Sequence, residues 1–81
     1  MDLLKIEEKQ YLKNLGNHII KLRKEQGLKQ YELSDLLDID VRVLRRIEKG
    51  KTNLQILFLF KLAEALNVEP TSFIDFGKKE I

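Results

Sequence analysis

The chain of 81 residues lacks several features that would assign it to particular protein classes. It has no cysteine, no tryptophan and a single proline. Without cysteine, disulfide frameworks and thiolate metal sites are excluded, and the redox compartment is not readable. The longest apolar run, Ile56 to Phe60, is much shorter than a membrane-spanning helix. Charged residues also interrupt the N-terminal apolar positions, so no signal peptide is indicated. We therefore expect a soluble protein of the cytoplasm.

The sequence also has few of the residue patterns that are typical of enzyme active sites. His18 is the only histidine, so a nucleophile activated by a histidine base has one candidate at most. No cluster of His, Asp and Glu has the spacing of metal ligands, and no glycine-rich phosphate-binding loop is present. We expect no catalytic residues, no bound metal and no cofactor.

Positive charge is instead concentrated in one short segment. The formal net charge of the whole chain is only +2. Residues 41–51 nevertheless contain one acid, Glu48, and five basic residues, namely Arg42, Arg45, Arg46, Lys49 and Lys51. The rest of the chain is therefore slightly acidic. A focused patch of this kind indicates a docking surface for a polyanion, although charge alone is equally compatible with a solvated basic helix face.

The apolar residues follow a helical period along most of the chain. The first helix has its inward face at Leu12, Leu15, Ile19 and Leu22. It ends at Gly27 and begins between Asp2 and Lys13, with Gly16 weakening the case for one unbroken helix.

Two shorter helices follow, joined by a tight turn. The first begins near Lys29 or Gln30 and ends at Asp38, a residue type that tolerates left-handed backbone geometry. Asp40 is a strong N-cap for the next helix, residues 41–49, and Gly50 ends it. This pattern predicts two helices in a helix-turn-helix arrangement.

A fourth helix is predicted from residue 54 or 55 to Leu66, with Asn67 as its stop. Its inward residues are predicted to be Ile56, Leu59, Leu62, Ala63 and Leu66. A short fifth helix beginning at Pro70 is expected to bring Phe73 and Ile74 into the core.

The sequence thus predicts an all-α fold, a compact bundle of five short helices with a central helix-turn-helix and an extended N-terminal helix. We divide it into a helical N-terminal extension (1–12), the helix-turn-helix domain (13–76) and a frayed tail (77–81).

From Leu15 to Phe73 the chain resembles the lambda-repressor-like helix-turn-helix domain, in its xenobiotic-response-element branch. The motifs that carry the resemblance are Leu22-Arg23, Gly27-Leu28-Lys29-Gln30, Glu32-Leu33, Asp40, Arg46-Ile47-Glu48-Lys49-Gly50, Lys51 and Asn53. Each motif is weak alone, but their order and spacing are specific. The resemblance implies that residues 41–49 enter the major groove of DNA.

The resemblance also implies roles for individual residues. The implied contacts to bases or phosphates come from Lys29, Gln30, Val41, Arg42, Arg45, Arg46, Lys49, Lys51, Thr52 and Asn53. Gln30 would bind a phosphate, the lysines would hold phosphates, and Thr52 and Asn53 would face the backbone or a base edge. Val41, Arg42 and Arg46 match the base-reading positions. Arg45 replaces the usual small polar residue and could reach either a base or a phosphate.

Two further features follow from the same comparison. Arg23 and Glu48 match a buried ion pair of the family, whose alternative is two exposed charges. Leu57 and Phe58 stand where the family usually has polar residues, and an apolar surface there suggests a dimer interface. The alternative is that residues 1–12 or the tail around Phe76 cover it.

We therefore expect a sequence-specific transcriptional regulator that binds double-stranded DNA as a homodimer on an inverted repeat, with a possible protein partner encoded nearby. Phage repressors, antitoxins and restriction–modification controllers share this short form. The alternative is a helical protein-interaction module that uses the apolar face of helix 54–66 and does not bind DNA.

Overall fold

Four α-helices and one short 3-10 helix form the part of the chain that the structure describes. It is a computed structural model that describes the backbone of residues 2–74 and the side chains of residues 7–74. The elements are α1 (Asp2–Glu25), α2 (Gln30–Leu37), α3 (Val41–Glu48), α4 (Ile56–Leu66) and the 3-10 helix Pro70–Phe73. Residues 2–74 contain no strand. The all-α prediction is confirmed, although the fifth helix is a 3-10 turn. The predicted frayed tail and Phe76 lie outside the described residues.

Helix α1 is unbroken from Asp2 to Glu25, so the N-terminal extension continues it. Gly16 lies where α1 approaches the end of α3. A Cβ atom at Gly16 would lie only 2.4 Å from the carbonyl oxygen of Glu48. Gly50, two residues after the end of α3, also approaches α1, where its Cβ would lie 2.7 Å from the Cα of Lys13. The absence of a side chain at both glycines therefore allows the backbones of the two segments to come into close contact. This packing offsets the unfavourable helix propensity of Gly16.

The turn between α2 and α3 is built by two aspartates. Asp38 adopts the left-handed conformation, with φ of 58°, and the N–H of Ile39 donates to the carbonyl of Ser34 at 3.0 Å. Asp40 then caps α3, because its carboxylate accepts a hydrogen bond of 2.7 Å from the N–H of Arg42. The predicted stop and cap are thus both observed, and they set the angle between the two helices.

The core contains one residue or more from every helix and from the 3-10 segment. Its buried apolar members are Leu15, Ile19, Leu22, Leu33, Leu37, Leu44, Ile47, Leu59, Leu62, Ala63, Leu66 and Phe73. Two residues predicted to point inward do not. Ile56 is exposed because it lies in the first turn of α4, where none of the described residues covers it. Ile74 is exposed because Phe73 takes the inward position at the end of the 3-10 helix.

Side chains of α1 hold the 3-10 helix in place. The hydroxyl of Tyr11 donates to the carbonyl of Phe73, and Nε2 of His18 lies 2.8 Å from Oγ of Ser72. The His18 ring also meets the Phe73 ring edge-on, with centroids 5.9 Å apart. Burial lowers the pKa of His18. His18 therefore serves the packing of the two segments.

Replacing Gly16 by alanine should destabilise the protein by about 1–3 kcal/mol. The added methyl group would clash with the backbone of α3, and this overpacking outweighs the gain of about 1 kcal/mol in helix propensity. Urea denaturation measures the change as a lower midpoint with an unchanged slope.

The matched control is Asn17→Ala, at an exposed position of the same helix. It should be neutral or slightly stabilising. If Gly16→Ala were stabilising to the same degree, α1 and α3 would not approach as closely as described.

Candidate nucleic-acid interface

Helix α3 separates its basic residues from its buried ones. Three basic residues follow Arg42 at intervals of three, four and seven residues, so all four lie along one side of the helix axis. The three are Arg45, Arg46 and Lys49. All four are exposed. The buried residues of α3 are Leu44, Ile47 and Glu48, on the opposite side. The helix therefore presents an uninterrupted cationic stripe, which we call the basic stripe, to solvent.

A buried ion pair lies beneath the basic stripe. Nε of Arg23 donates to Oε2 of Glu48 at 2.8 Å, and Nη2 of Arg23 donates to Oε1 at 3.3 Å. Arg23 is 8% exposed and Glu48 is 4% exposed. Nη1 of Arg23 also donates to the carbonyl of Leu28 at 2.9 Å. Among the described residues no buried side-chain polar atom lacks a partner. The pair joins α1 to the last turn of α3 and to the loop before α2.

Gln30 connects this ion pair to the basic stripe. Its Nε2 donates to Oε1 of Glu48 at 2.8 Å, and its Oε1 accepts from Nε of Arg45 at 3.3 Å. A carboxylate can only accept, so Glu48 determines which way the amide of Gln30 faces. The acceptor oxygen then has to face outward, toward Arg45. The family resemblance implies a phosphate contact for Gln30, and one N–H of its amide remains for that purpose, but the bridge from Glu48 to Arg45 was not predicted.

Asp40 is bonded to Arg42 as well as to the helix end. Its Oδ1 accepts from Nε of Arg42 and its Oδ2 accepts from Nη2, both at 3.2 Å. These hydrogen bonds, together with the one from the Arg42 backbone, hold the pKa of Asp40 below its ordinary value of 3.8. The carboxylate is therefore fully ionised at neutral pH. Sequence spacing alone gave no signal for this second role.

The other residues implied by the family resemblance lie around the basic stripe. The side chains of Lys29, Lys51 and Asn53 are exposed, whereas Val41 and Thr52 are half-buried. The backbone N–H of Lys29 donates to Oε1 of Glu32 at 2.8 Å, which caps the start of α2. The hydroxyl of Thr52 donates to the carbonyl of Asn53 at 3.3 Å. Their contacts to DNA remain predictions.

The two predicted interface residues of α4 face different ways. Leu57 is 73% exposed, whereas Phe58 packs against the core. Phe58 lines a groove of about 290 Å³ beside α3, together with Val43 and Ile47. Because residues three and four apart are neighbours on a helix, Phe60 lies beside both Leu57 and Ile56, and all three side chains are exposed. We call these three residues the apolar stripe of α4. The sequence reasoning missed Phe60, because it placed Ile56 inward.

The described part of the chain offers neither a metal-binding cluster nor a membrane-spanning helix. No group of three or more His, Cys, Asp and Glu residues is placed to hold a metal ion. None of its helices is long and apolar enough to cross a membrane.

Comparison with known proteins assigns the class. Residues 19–73 match the model of the helix-turn-helix family HTH_3, and the chain belongs to this family. It is 32% identical over 73 residues to an uncharacterised HTH-type transcriptional regulator of Sinorhizobium fredii, an alignment that covers 83% of this chain and 95% of that protein. The predicted class, a helix-turn-helix transcriptional regulator, is confirmed.

Two solved structures share the fold. The restriction–modification controller protein C.AhdI of Aeromonas hydrophila superposes with a TM-score of 0.73 at 32% identity, covering 76% of this chain and 94% of that one. An HTH_3 family transcriptional regulator of Vibrio cholerae superposes with a TM-score of 0.76 at 24% identity. That alignment covers 86% of this chain but only 39% of the longer Vibrio chain.

Removal of either partner of the buried ion pair should destabilise the fold strongly. Glu48→Ala leaves the guanidinium of Arg23 buried without a counter-charge, and we expect a loss of roughly 3–5 kcal/mol in the free energy of unfolding. Arg23→Ala should cost a similar amount. In a double-mutant cycle the two losses should be far from additive, because the second removal relieves the unpaired charge left by the first.

The control is Glu25→Ala, which removes an exposed ion pair with Lys21 whose N–O distance is 3.7 Å. That change should cost less than about 0.5 kcal/mol. Small, additive losses at Arg23 and Glu48 would show that their side chains do not interact in solution.

Proposed function

We propose that this protein is a sequence-specific transcriptional regulator that inserts α3 into the major groove of double-stranded DNA. The observation that carries the proposal is the basic stripe of α3, supported from behind by the ion pair of Arg23 and Glu48. Cationic side chains on one face of a short helix suit a groove lined by phosphates, and rigid support fixes their register on the duplex. A protein that regulates transcription has to share a compartment with its DNA, and this supports a location in the cytoplasm.

The residues divide into base-reading and phosphate-binding sets. Arg42 and Arg46, four apart on α3, would read base edges, and Val41 would contact a thymine methyl group. Arg45, turned toward the start of α2 by Gln30, would contact a phosphate. The remaining phosphate or backbone contacts would come from Lys29, Gln30, Lys49, Lys51, Thr52 and Asn53.

We further propose that the protein acts as a homodimer on an inverted repeat. The apolar stripe of α4 exposes Ile56, Leu57 and Phe60 side by side, and such surfaces on small domains commonly form interfaces. A two-fold dimer would present its recognition helices about 34–36 Å apart, one turn of DNA. The similarity to C.AhdI favours the controller type of regulator over a phage repressor or an antitoxin, and a protein partner encoded nearby would fit that type too.

The test of the proposed function is a selection of random DNA duplexes by the purified protein, followed by affinity measurements on the selected site. We expect an inverted-repeat site, and an affinity that falls steeply with salt, with a log–log slope of roughly −5 to −7 for a dimer. Absence of DNA binding at low salt would refute the proposal and leave the helical protein-interaction module as the function.

Two alanine variants should separate base reading from phosphate binding. Arg46→Ala should weaken the selected site by roughly 1–3 kcal/mol per half-site and hardly change the affinity for random DNA. Lys51→Ala should weaken all duplexes about equally and lower the salt slope by about one unit per half-site. Fluorescence anisotropy titrations on selected and scrambled duplexes measure both effects. Equal losses on both duplexes for Arg46→Ala would assign that arginine to a phosphate.

The apolar stripe should control assembly. Leu57→Glu should yield a folded monomer, because Leu57 is largely exposed in the single chain and would lose burial only across the interface. Its DNA affinity should fall by orders of magnitude, since the two half-sites are no longer linked. Phe58, the other residue whose position in the sequence suggests an interface, is less suitable for this substitution because its side chain packs against the core.

Sedimentation velocity measures the mass. The control, Gln55→Glu, adds the same charge at the N-cap of α4 without removing apolar area, and should remain dimeric. A Leu57→Glu protein of unaltered dimer mass would exclude the apolar stripe as the interface.

A further inference from the structure

Arg42 is held in one orientation by the residue that caps its helix. Oδ1 of Asp40 accepts both the Arg42 N–H at 2.7 Å and Nε at 3.2 Å, while Oδ2 accepts Nη2 at 3.2 Å. The backbone bond fixes the carboxylate, and the carboxylate in turn fixes the guanidinium. The side chain of Arg42 is otherwise 82% exposed. An arginine so exposed would normally sample many rotamers, and this fork restricts them.

The fork also determines which part of the guanidinium remains available. A guanidinium has two edges that present a pair of parallel N–H donors, one formed by Nε with a terminal nitrogen and one formed by the two terminal nitrogens. Asp40 occupies the first edge. Nη2 uses one of its two hydrogens on this edge, in the bond to Oδ2 of Asp40. Its other hydrogen and those of Nη1 form the second edge, which points away from the carboxylate and has no hydrogen-bond partner among the described residues. Arg42 therefore offers a single bidentate donor edge from the second residue of α3.

The charge of Asp40 decides which acceptor that edge takes. Both a phosphate and a guanine offer two acceptors to an arginine. A phosphate brought to Arg42 would also approach the ionised carboxylate of Asp40, and the two like charges repel. The O6 and N7 atoms of guanine carry no net charge, so the repulsion is largely absent. Asp40 thus disfavours a contact between Arg42 and a DNA phosphate, and favours a contact between Arg42 and a base edge.

We infer that Asp40 is a positioning residue for DNA recognition, which orients Arg42 so that its outer edge reads a guanine in each half-site. This inference rests on the proposed function and adds a base preference to it. The role is distinct from capping, because capping requires only the bond to the Arg42 N–H. Two substitutions preserve a cap and remove the fork. Asp40→Asn places an amide N–H₂ against Nη2, and Asp40→Ser is too short to reach the guanidinium.

The experiment selects random duplexes separately with the wild-type protein, Asp40→Asn, Asp40→Ser and Arg42→Ala. The wild type should select guanine at one position of each half-site, and Arg42→Ala should lose that preference alone. Both Asp40 variants should reduce the guanine preference at that same position by roughly three- to tenfold, while other positions keep theirs. In an Arg42→Ala background, Asp40→Asn should change no base preference.

A matched control separates orientation from charge. Asp38→Asn removes one negative charge two residues earlier, in a left-handed conformation that asparagine also tolerates. It contributes none of the three bonds to Arg42. Asp38→Asn and Asp40→Asn should both raise affinity for random DNA by a few-fold, since each removes a charge that repels phosphates. Only Asp40→Asn should alter the base preference. Urea denaturation of every variant checks that the cap is retained.

The possible results are distinguishable. A wild-type protein that binds no DNA refutes the proposed function. A wild type that selects a site with Asp40 variants selecting the identical site refutes the inference alone. An increased guanine preference in the Asp40 variants also refutes it, because the carboxylate would then withhold Arg42 from the groove. Loss of preference at every position would indicate a damaged helix and would likewise count against a positioning role.

Discussion

The carboxylate of Glu48 is the point on which the arrangement of this small domain depends. It receives two hydrogen bonds from Arg23 and one from Gln30, so α1, α2 and the last turn of α3 meet at one buried charge. A buried ion pair adds little net stability compared with apolar packing, but its bonds are directional. The backbone carbonyl of the same residue lies against Gly16 of α1. Recognition-helix position is therefore determined by polar geometry and close backbone contact together.

The chain sequence predicted those features that depend on local chemistry. Asp38 and Asn67 both adopt a left-handed conformation at helix ends, and Asp40 caps α3, as their residue types indicated. Periodicity also identified most of the core. It failed at Ile56, because a helical period gives the relative direction of side chains but not which neighbours cover them. Gly16 shows the same limitation. Helix propensity predicts that a glycine destabilises α1, but it does not reveal the close contact with α3 that requires a glycine there.

The candidate site was predictable as a set of residues but not as a set of contacts. Charge counting and family resemblance together pointed to the basic residues of α3 and of the loop after it. The bridge through Gln30 and the fork of Asp40 join groups whose distances no sequence spacing specifies. The sequence pointed to Leu57 in the apolar stripe of α4, but it also pointed to Phe58, which packs against the core, and it did not indicate Phe60. The basic stripe and the apolar stripe occupy separate helices, so the proposed roles in DNA reading and self-association are expected to be separable by mutation.

The division of α3 into a buried and an exposed side has an evolutionary consequence. The residues that maintain the fold, Leu44, Ile47 and Glu48, occupy different positions from those that face solvent. Operator preference can therefore diverge between descendants of one ancestor without loss of stability. The hydrogen bonds from Arg42 to Asp40 and from Arg45 to Gln30 restrict the order of such changes. A lineage that replaces either arginine removes a hydrogen-bond donor from its partner. Specificity in this domain is expected to drift in pairs of positions rather than one residue at a time.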